Sequence, residues 1–455
     1  MEIQKWYAQL VINNLTVENF RGFRNQTNIE FDKQLTVFIG ENGAGKTSLL
    51  DAIVKMLSQV IVTLKPSSKE EYSKLFDEND LNNETLLDIE SAYCAIETHL
   101  LVEVNQENET NEVITEEFER EYEDQTEAFV DSTIRWTIPI VPNEVNMISE
   151  DENFDKLNNF KRTVDFRYIR KLPLTIPVIV YYQLKDAEIT NKVSSEKLQR
   201  YTIFETYHQA LKKNSLSFND FSVWFKWQSN IELSKGNNVL LQQVKTAIYD
   251  LLNDDAGQTY TGMEVLWEDY PEGKMIMQKN AKQIYVEQFS SGEKTLLCLV
   301  ANLAYRLALA NPNSENPLIN GTGIVIIDEI DLHLHPKWQQ KVLPKLLSIF
   351  PKCQFIVSTH SPLVLANVSK ECVRFLKDKA LQVSPYTKGR DVNAITEDVF
   401  GVQARPIKYK SAIAKFYELL QTNVDEAKEL LVELKQNFGD GDTEIVRAES
   451  YLELY

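Results

Sequence analysis

The chain has 455 residues, with 48 basic side chains against 67 acidic ones and a formal net charge of −19. Hydrophobic residues make up 43% of it, and glycine and proline number only 15 and 14, which excludes wholesale disorder and collagen- or mucin-like chains. A chain this acidic does not coat nucleic acid unaided, because non-specific binding rests on cations that neutralise phosphates.

The length suits two to three domains, or one large domain with an insertion. Residues 101–155 hold 17 acidic side chains against only Arg120 and Arg135, so most of the acidity sits in one segment. Cys94, Cys298, Cys353 and Cys372 are scattered without a CxxC pair and read as free thiols, not as zinc or redox sites. The opening MEIQKWYAQL has no basic region followed by an apolar run, so no signal peptide is expected. No run of about 18 uncharged apolar residues occurs, so no membrane span is expected and the anticipated compartment is the cytoplasm. Neither an internal repeat nor a sustained heptad pattern is visible.

In chain order, LVINNLTVENF alternates like a strand, NQTNIEF follows, and LTVFIG is a continuous apolar run that ends in glycine. Next comes GENGAGKTSLLDAIVKML, a glycine-rich turn leading into helical spacing. Residues 40–47 match GxxxxGK[ST] in full. Glycines let backbone N–H groups turn inward around phosphate oxygens, the lysine reaches the β- and γ-phosphates, and the hydroxyl can ligate Mg²⁺. Asn42, Gly43, Ala44, Gly45, Lys46, Thr47 and Ser48 are therefore the candidate nucleotide contacts.

Residues 61–100 are mixed and end in strand character, and 105–127 read as a solvated acidic loop or hairpin. β character returns over 134–142. A basic stretch then carries Lys156, Lys161, Arg162, Arg167, Arg170 and Lys171 against Asp165. It could face DNA, RNA or an acidic partner, or be a solvated amphipathic edge. PLTIPVIVYY reads as a buried strand, and 195–252 as largely helical, with Trp224, Phe225 and Trp227 in a packed core.

A strand-like IYVEQF leads at Phe289–Lys294 into a long apolar helix, and GIVIIDE is a buried strand ending in two carboxylates. Asp328 would hold Mg²⁺ and Glu329 would polarise the attacking water, at the strand edge where open α/β sheets bind ligands. KWQQKVLPKLLSIF is an amphipathic helix, CQFIVSTHSP a buried strand with a polar end, and 395–455 helical with a break at Gly439–Asp442. Strands alternating with helices predict a mostly parallel, covered sheet.

FSSGEK resembles the signature motif of ABC ATPases, 37 residues before Asp328, and would offer Ser290, Ser291, Gly292 and Glu293 to a nucleotide. The same residues also make a good helix cap. His360 ends its strand 32 residues after Asp328, where a switch histidine belongs, and Asp331–Pro336 occupies the D-loop position. His333 and His335 lack the further donors a zinc site needs.

In this order the motifs resemble the ABC-type ATPase heads of the SMC, RecF and OLD families, and ENFRGF is similar to the start of those heads. IDEIDLHLHPKWQ and FIVSTHSPLVLANV resemble the stand-alone bacterial ATPases that include PtuA of the Septu antiphage system. The resemblance implies an α/β fold: a P-loop ATPase head with a mixed sheet, a helical/β insertion and a helical C-terminal extension. It implies a homodimer, or a higher homo-oligomer, with two ATP molecules and Mg²⁺ sandwiched so that each nucleotide meets Lys46 and Thr47 of one subunit and Ser291 of the other. It implies a separate HNH nuclease partner, PtuB-like, with nucleic acid met through the complex. Gln183 is the best-placed Q-loop candidate for the metal. The expected divisions are 1–60 and 281–394 for the two halves of the head, 61–280 for the insertion with its acidic segment 101–155 and helical region 195–252, and 395–455 for the extension. Residues 361–455 read as helix, and Asp440 and Asp442 as a turn, so no nuclease is expected in the chain. The alternative is a RecF-like, ATP-dependent DNA-binding repair protein.

Overall fold

The structure is a computed structural model that describes residues 6–69, 80, 92–104, 129–140, 154–186, 189, 202–212, 216–253, 259–268, 270–403 and 405–454. The acidic stretch 105–127 lies outside the described residues. The chain forms two units, residues 1–389 and 390–455.

The first unit is built on a six-stranded sheet in the order β13-β12-β3-β11-β10-β6. These are β3 (Leu35–Gly40), β6 (Val178–Gln183), β10 (Gly323–Asp328), β11 (Cys353–Ser358), β12 (Val373–Lys377) and β13 (Ala380–Gln382). The first five run parallel, and β13 turns back antiparallel on β12. β3, β6, β10 and β11 are buried at every residue, as parallel strands covered on both faces must be. The predicted parallel sheet is therefore present.

A second, antiparallel sheet has the order β2-β1-β4-β5, from β1 (Trp6–Glu18), β2 (Thr27–Glu30), β4 (Ala92–Val104) and β5 (Phe129–Ile140). Gln354 on β11 joins the two sheets. Its buried amide accepts from Ile12 N–H at 2.8 Å and donates to Ile12 C=O at 2.9 Å, standing in for one rung of backbone ladder. The expected boundary at 60/61 differs from this arrangement: β4 and β5 extend the sheet begun by β1, and β6 is an edge strand of the central sheet. Hydrophobic pattern revealed these strands but not their partners.

Helix α1 (Lys46–Leu64) follows β3 directly and packs against β3, β6 and β10. Among the described residues it is the one helix long and apolar enough to cross a membrane, and it lies in the core of the head. The helix Ser291–Ala310 is buried on all sides. Tyr182 on β6 donates to Asn302 of that helix at 2.9 Å, and Trp224 lies edge-on to its Tyr305 at 5.7 Å. Trp224 and Phe225 are core residues, as expected, whereas Trp227 is 39% exposed. A three-stranded meander, β7 (Tyr260–Leu266), β8 (Lys274–Lys279) and β9 (Lys282–Tyr285), precedes the helix.

The basic stretch forms the helix Phe154–Arg170. Two of its six cations are turned to internal uses. Arg167 is buried over the Trp6 ring and donates to Pro173 C=O, and Lys161 pairs with Asp165. Arg162, Arg170 and Lys171 remain exposed. Cys94, Cys298 and Cys353 are buried free thiols, and Cys372 is half-buried.

Among the described residues, the second unit holds the helices Val392–Phe400, Ile407–Thr422, Val424–Phe438 and Thr443–Leu452. Phe416, Leu420, Leu431, Leu434 and Ile445 form a core of its own. Gly439 is left-handed (φ +82°), and Asp442 caps the last helix while pairing with Arg405 at 2.9 Å. The GDGD segment is thus the turn that the sequence predicts.

Candidate functional site

β3 ends at Gly40 and α1 begins at Lys46, so the GxxxxGK stretch is a loop that turns directly into a helix N-terminus. Gly43 (φ +79°) faces open space, and Gly45 (φ +104°) caps α1. A Cβ at Gly45 would stand 2.6 Å from the Phe23 ring. Phe23 of the NFRGF segment is therefore the floor on which the phosphate loop rests, and only glycine fits over it. Arg21 braces that floor, with ion pairs to Asp51 at 2.7 Å and to the buried Asp80 at 3.0 Å. Lys46 is buried, and its ammonium donates to Gly40 C=O and Glu41 C=O at 2.9 Å each. Burial lowers its pKa, against the pull of Asp328, Glu329 and Asp331.

β10 delivers Asp328 beside Thr47, whose hydroxyl lies 3.2 Å from the carboxylate. Ser358, at the end of β11, donates to Asp328 at 2.6 Å and accepts from the Glu329 N–H at 2.8 Å. Glu329 is left-handed (φ +54°), a costly conformation for a residue with a Cβ, and the serine holds it there. Two residues on, Asp331 accepts from Thr359 Oγ1 at 2.5 Å and from the His360 N–H at 3.2 Å. The D-loop aspartate thereby fixes the turn that presents His360. Burial, and then the Lys46 charge, lower the His360 pKa below its ordinary value, so the imidazole is neutral at pH 7.

Lys46, Thr47, Asp328, Glu329 and His360 line one cavity of about 880 Å³, together with Asn42, Gly43, Gly45 and Ser48. Ala44 is buried behind the loop. Gln183 pairs in register with Asp328, donates to Tyr181 Oη at 2.7 Å, and leaves its buried Oε1 without a hydrogen-bond partner. Gln183 is not among the residues lining the cavity, so its orphaned acceptor is placed near the site only by its register with Asp328. Among the described residues no group of three or more His, Cys, Asp or Glu could hold a metal by itself, so the remaining ligands would be phosphate oxygens and water.

The sequence profile of the AAA ATPase domain matches residues 11–365. The chain belongs to this family. It is an ATPase, and it is similar to a retron Ec83 probable ATPase of Escherichia coli, at 26% identity over 98% of this chain and 87% of that protein. It is also similar to the Septu protein PtuA of Bacillus thuringiensis, at 24% identity over 92% of this chain and 91% of that one. A solved SMC head bound to the C-terminal winged-helix domain of ScpA aligns with a TM-score of 0.45 and 17% identity, over 82% of this chain and 97% of that one.

In this ATPase the signature residues 290–293 do not line the cavity of Lys46. Ser290 and Ser291 are exposed at the N-terminus of their helix. Gly292 lies beneath the D-loop, where a Cβ would meet the His333 carbonyl at 2.8 Å. His335 caps the following turn by accepting from Lys337 N–H.

Glu293 departs from its expected contact with nucleotide. Its carboxylate is buried and turned inward, accepting from the Ser290 N–H and hydroxyl at 2.6 Å each and from Lys279 and Tyr260. Burial works to raise its pKa, but the bonds from Lys279, Ser290 and Tyr260 outweigh that and hold it at about 2. With a folded value below the unfolded one, its contribution to stability is complete above about pH 5 and is lost as the pH falls toward 2. Glu293→Gln is expected to lower the melting temperature at pH 7, and the gap from wild type should narrow steadily as the pH falls from 5 toward 2. A gap that stays constant over that range would refute this account.

Sequence reasoning missed Ser358 and Asp331 as the residues that orient the two catalytic candidates. Both stood inside quoted motifs, but pairing across β10 and β11 is a property of the sheet. It missed Asp378 and Lys379 altogether, although both line the cavity.

Proposed function

We propose that this ATPase is the nucleotide-driven subunit of a cytoplasmic antiphage defence complex, in which two heads close around two Mg-ATP molecules and regulate a separate HNH-type nuclease. The observation that carries this reading is a divided site. One cavity gathers Lys46, Thr47, Asp328, Glu329 and His360, while Ser291 and Gly292 stand on an exposed helix N-terminus outside it. A second subunit would bring its own signature helix to the open side of the cavity. The resemblance to PtuA-type ATPases supports the defence role and the nuclease partner.

Within the cavity, Lys46 has three donors and spends two on loop carbonyls, so the third would meet the β- and γ-phosphates. Thr47, Asp328 and Gln183 would hold Mg²⁺, which when bound neutralises charge on the phosphate oxygens. Glu329 would orient the attacking water. His360, neutral, would donate to the γ-phosphate, and Ser291 of the facing subunit would add donors at its helix N-terminus.

Affinity purification of the tagged chain from its host tests the complex. A nuclease subunit with an HNH motif should co-elute, and ATP should change its cutting rate. A chain that elutes alone, and binds duplex DNA in an ATP-dependent, salt-sensitive way through Arg162, Arg170 and Lys171, would replace this reading with the RecF-like one.

A further inference from the structure

The turn between β12 and β13 enters the same cavity, and none of the sequence motifs accounts for it. Asp378 and Lys379 are both left-handed (φ +50° and +59°) between the paired residues Lys377 and Ala380, the geometry of a tight two-residue hairpin. This turn is anchored at the phosphate loop. β12 lies parallel to β3, and Leu376 pairs with Gly40, the first residue of the loop motif. Gly40 packs so closely on the Leu376 carbonyl that a Cβ there would collide with it. The turn therefore stands only two residues beyond a rigid backbone contact with the loop.

Lys379 also reaches back over the segment that floors the phosphate loop. Its side chain runs across Gly22, where a Cβ would run into its Cδ, Cε and Nζ. Gly22 sits between Arg21 and Phe23, so the lysine stem rests on the segment that carries the floor of the phosphate loop. Asp378, Lys379 and Arg24 line the cavity together with the loop.

At about 880 Å³ the cavity has the size of a site for a complete small-molecule ligand, not only for a phosphate chain. The loop, Asp328 and His360 account for the phosphates. The part of the cavity left for the nucleoside is lined by residues 21–25, Thr27 and the turn. We propose that the Asp378–Lys379 turn is the nucleoside-reading wall of this site. Asp378 accepts from the sugar hydroxyls, and Lys379 presents its ammonium to the base across Gly22. The proposal rests on the nucleotide reading of the phosphate loop.

The test compares ATP with inorganic tripolyphosphate, which has the phosphate chain but no nucleoside. The variant is Asp378→Asn/Lys379→Asn, because asparagine suits the left-handed backbone at both positions and the turn is exposed. An unchanged melting temperature in the absence of ligand verifies that it folds. The dissociation constant for ATP is expected to rise about tenfold while that for tripolyphosphate stays within about twofold. Unchanged affinity for ATP would overturn the proposal, and so would an equal loss for both ligands, which would assign Lys379 to the phosphates. Lys46→Ala, measured alongside, separates the two failures. If it loses both ligands, the phosphate-loop reading stands and an unaffected turn variant defeats this proposal alone. If it keeps both, the two readings fall together.

Discussion

Glu329→Gln is expected to bind ATP like wild type and to lower kcat for ATP hydrolysis by about 10²–10³-fold. The substitution is nearly isosteric, so the cavity keeps its shape and Lys46, Thr47 and Asp328 keep their places. The Ser358 hydroxyl still holds the residue-329 N–H, so the left-handed backbone that aims the side chain persists. What is lost is the negative charge and the basic oxygen that would orient water. Glu329 is also one of the carboxylates that raise the His360 pKa against burial, so the variant should leave His360 still more firmly neutral. With ATP bound and not cleaved, the closed dimer should accumulate, visible as ATP-dependent doubling of mass by light scattering. Normal hydrolysis in this variant would remove Glu329 from the catalytic assignment. Slow hydrolysis without dimer would preserve that assignment and remove the two-headed sandwich.

The parts of this site that were legible in the sequence share a physical property. Phosphate binding by a loop needs successive backbone N–H groups, so residues 40–47 had to be contiguous and could be recognised as a unit. Asp328 and Glu329 were legible because a buried strand announces its own C-terminal edge, and His360 because the next strand does the same. Contacts made by sheet order were not legible. Nothing in FLKDKAL says that β12 will lie beside β3 and bring Lys379 over Gly22, and nothing in the apolar run of β6 says that it will pair with β10. Glu293 shows another limit. SSGE alone predicts a helix cap, and the nucleotide contact rests on its spacing from Asp328; only the positions of Lys279 and Tyr260, brought in by the β7–β9 meander, show that the carboxylate points inward. In the basic stretch, charge alone overstated the exposed cation count, because Arg167 stacks on Trp6 and Lys161 pairs within its own helix.

Lys46→Ala is expected to weaken ATP binding on the order of 10²-fold, since it deletes a charge-assisted bond and a full positive charge at the phosphates. A purely structural lysine would behave differently, and the difference is measurable. Lys46 is buried with its ammonium on two backbone carbonyls, and burial lowers its pKa. Its charge is thus held at some cost to the ligand-free fold, and removing it should leave the melting temperature unchanged or slightly raised. The effect should appear only with nucleotide. At an ATP concentration of about 100 times the wild-type dissociation constant, ligand stabilises the native state by about 2.7 kcal/mol. A variant bound a hundredfold more weakly gains only about 0.4 kcal/mol under the same conditions. Thermal melts with and without ATP should therefore show a clear upward shift for wild type and almost none for Lys46→Ala. If the variant melts earlier without ligand and still shows the full shift with ATP, the lysine braces the loop and does not bind the phosphates.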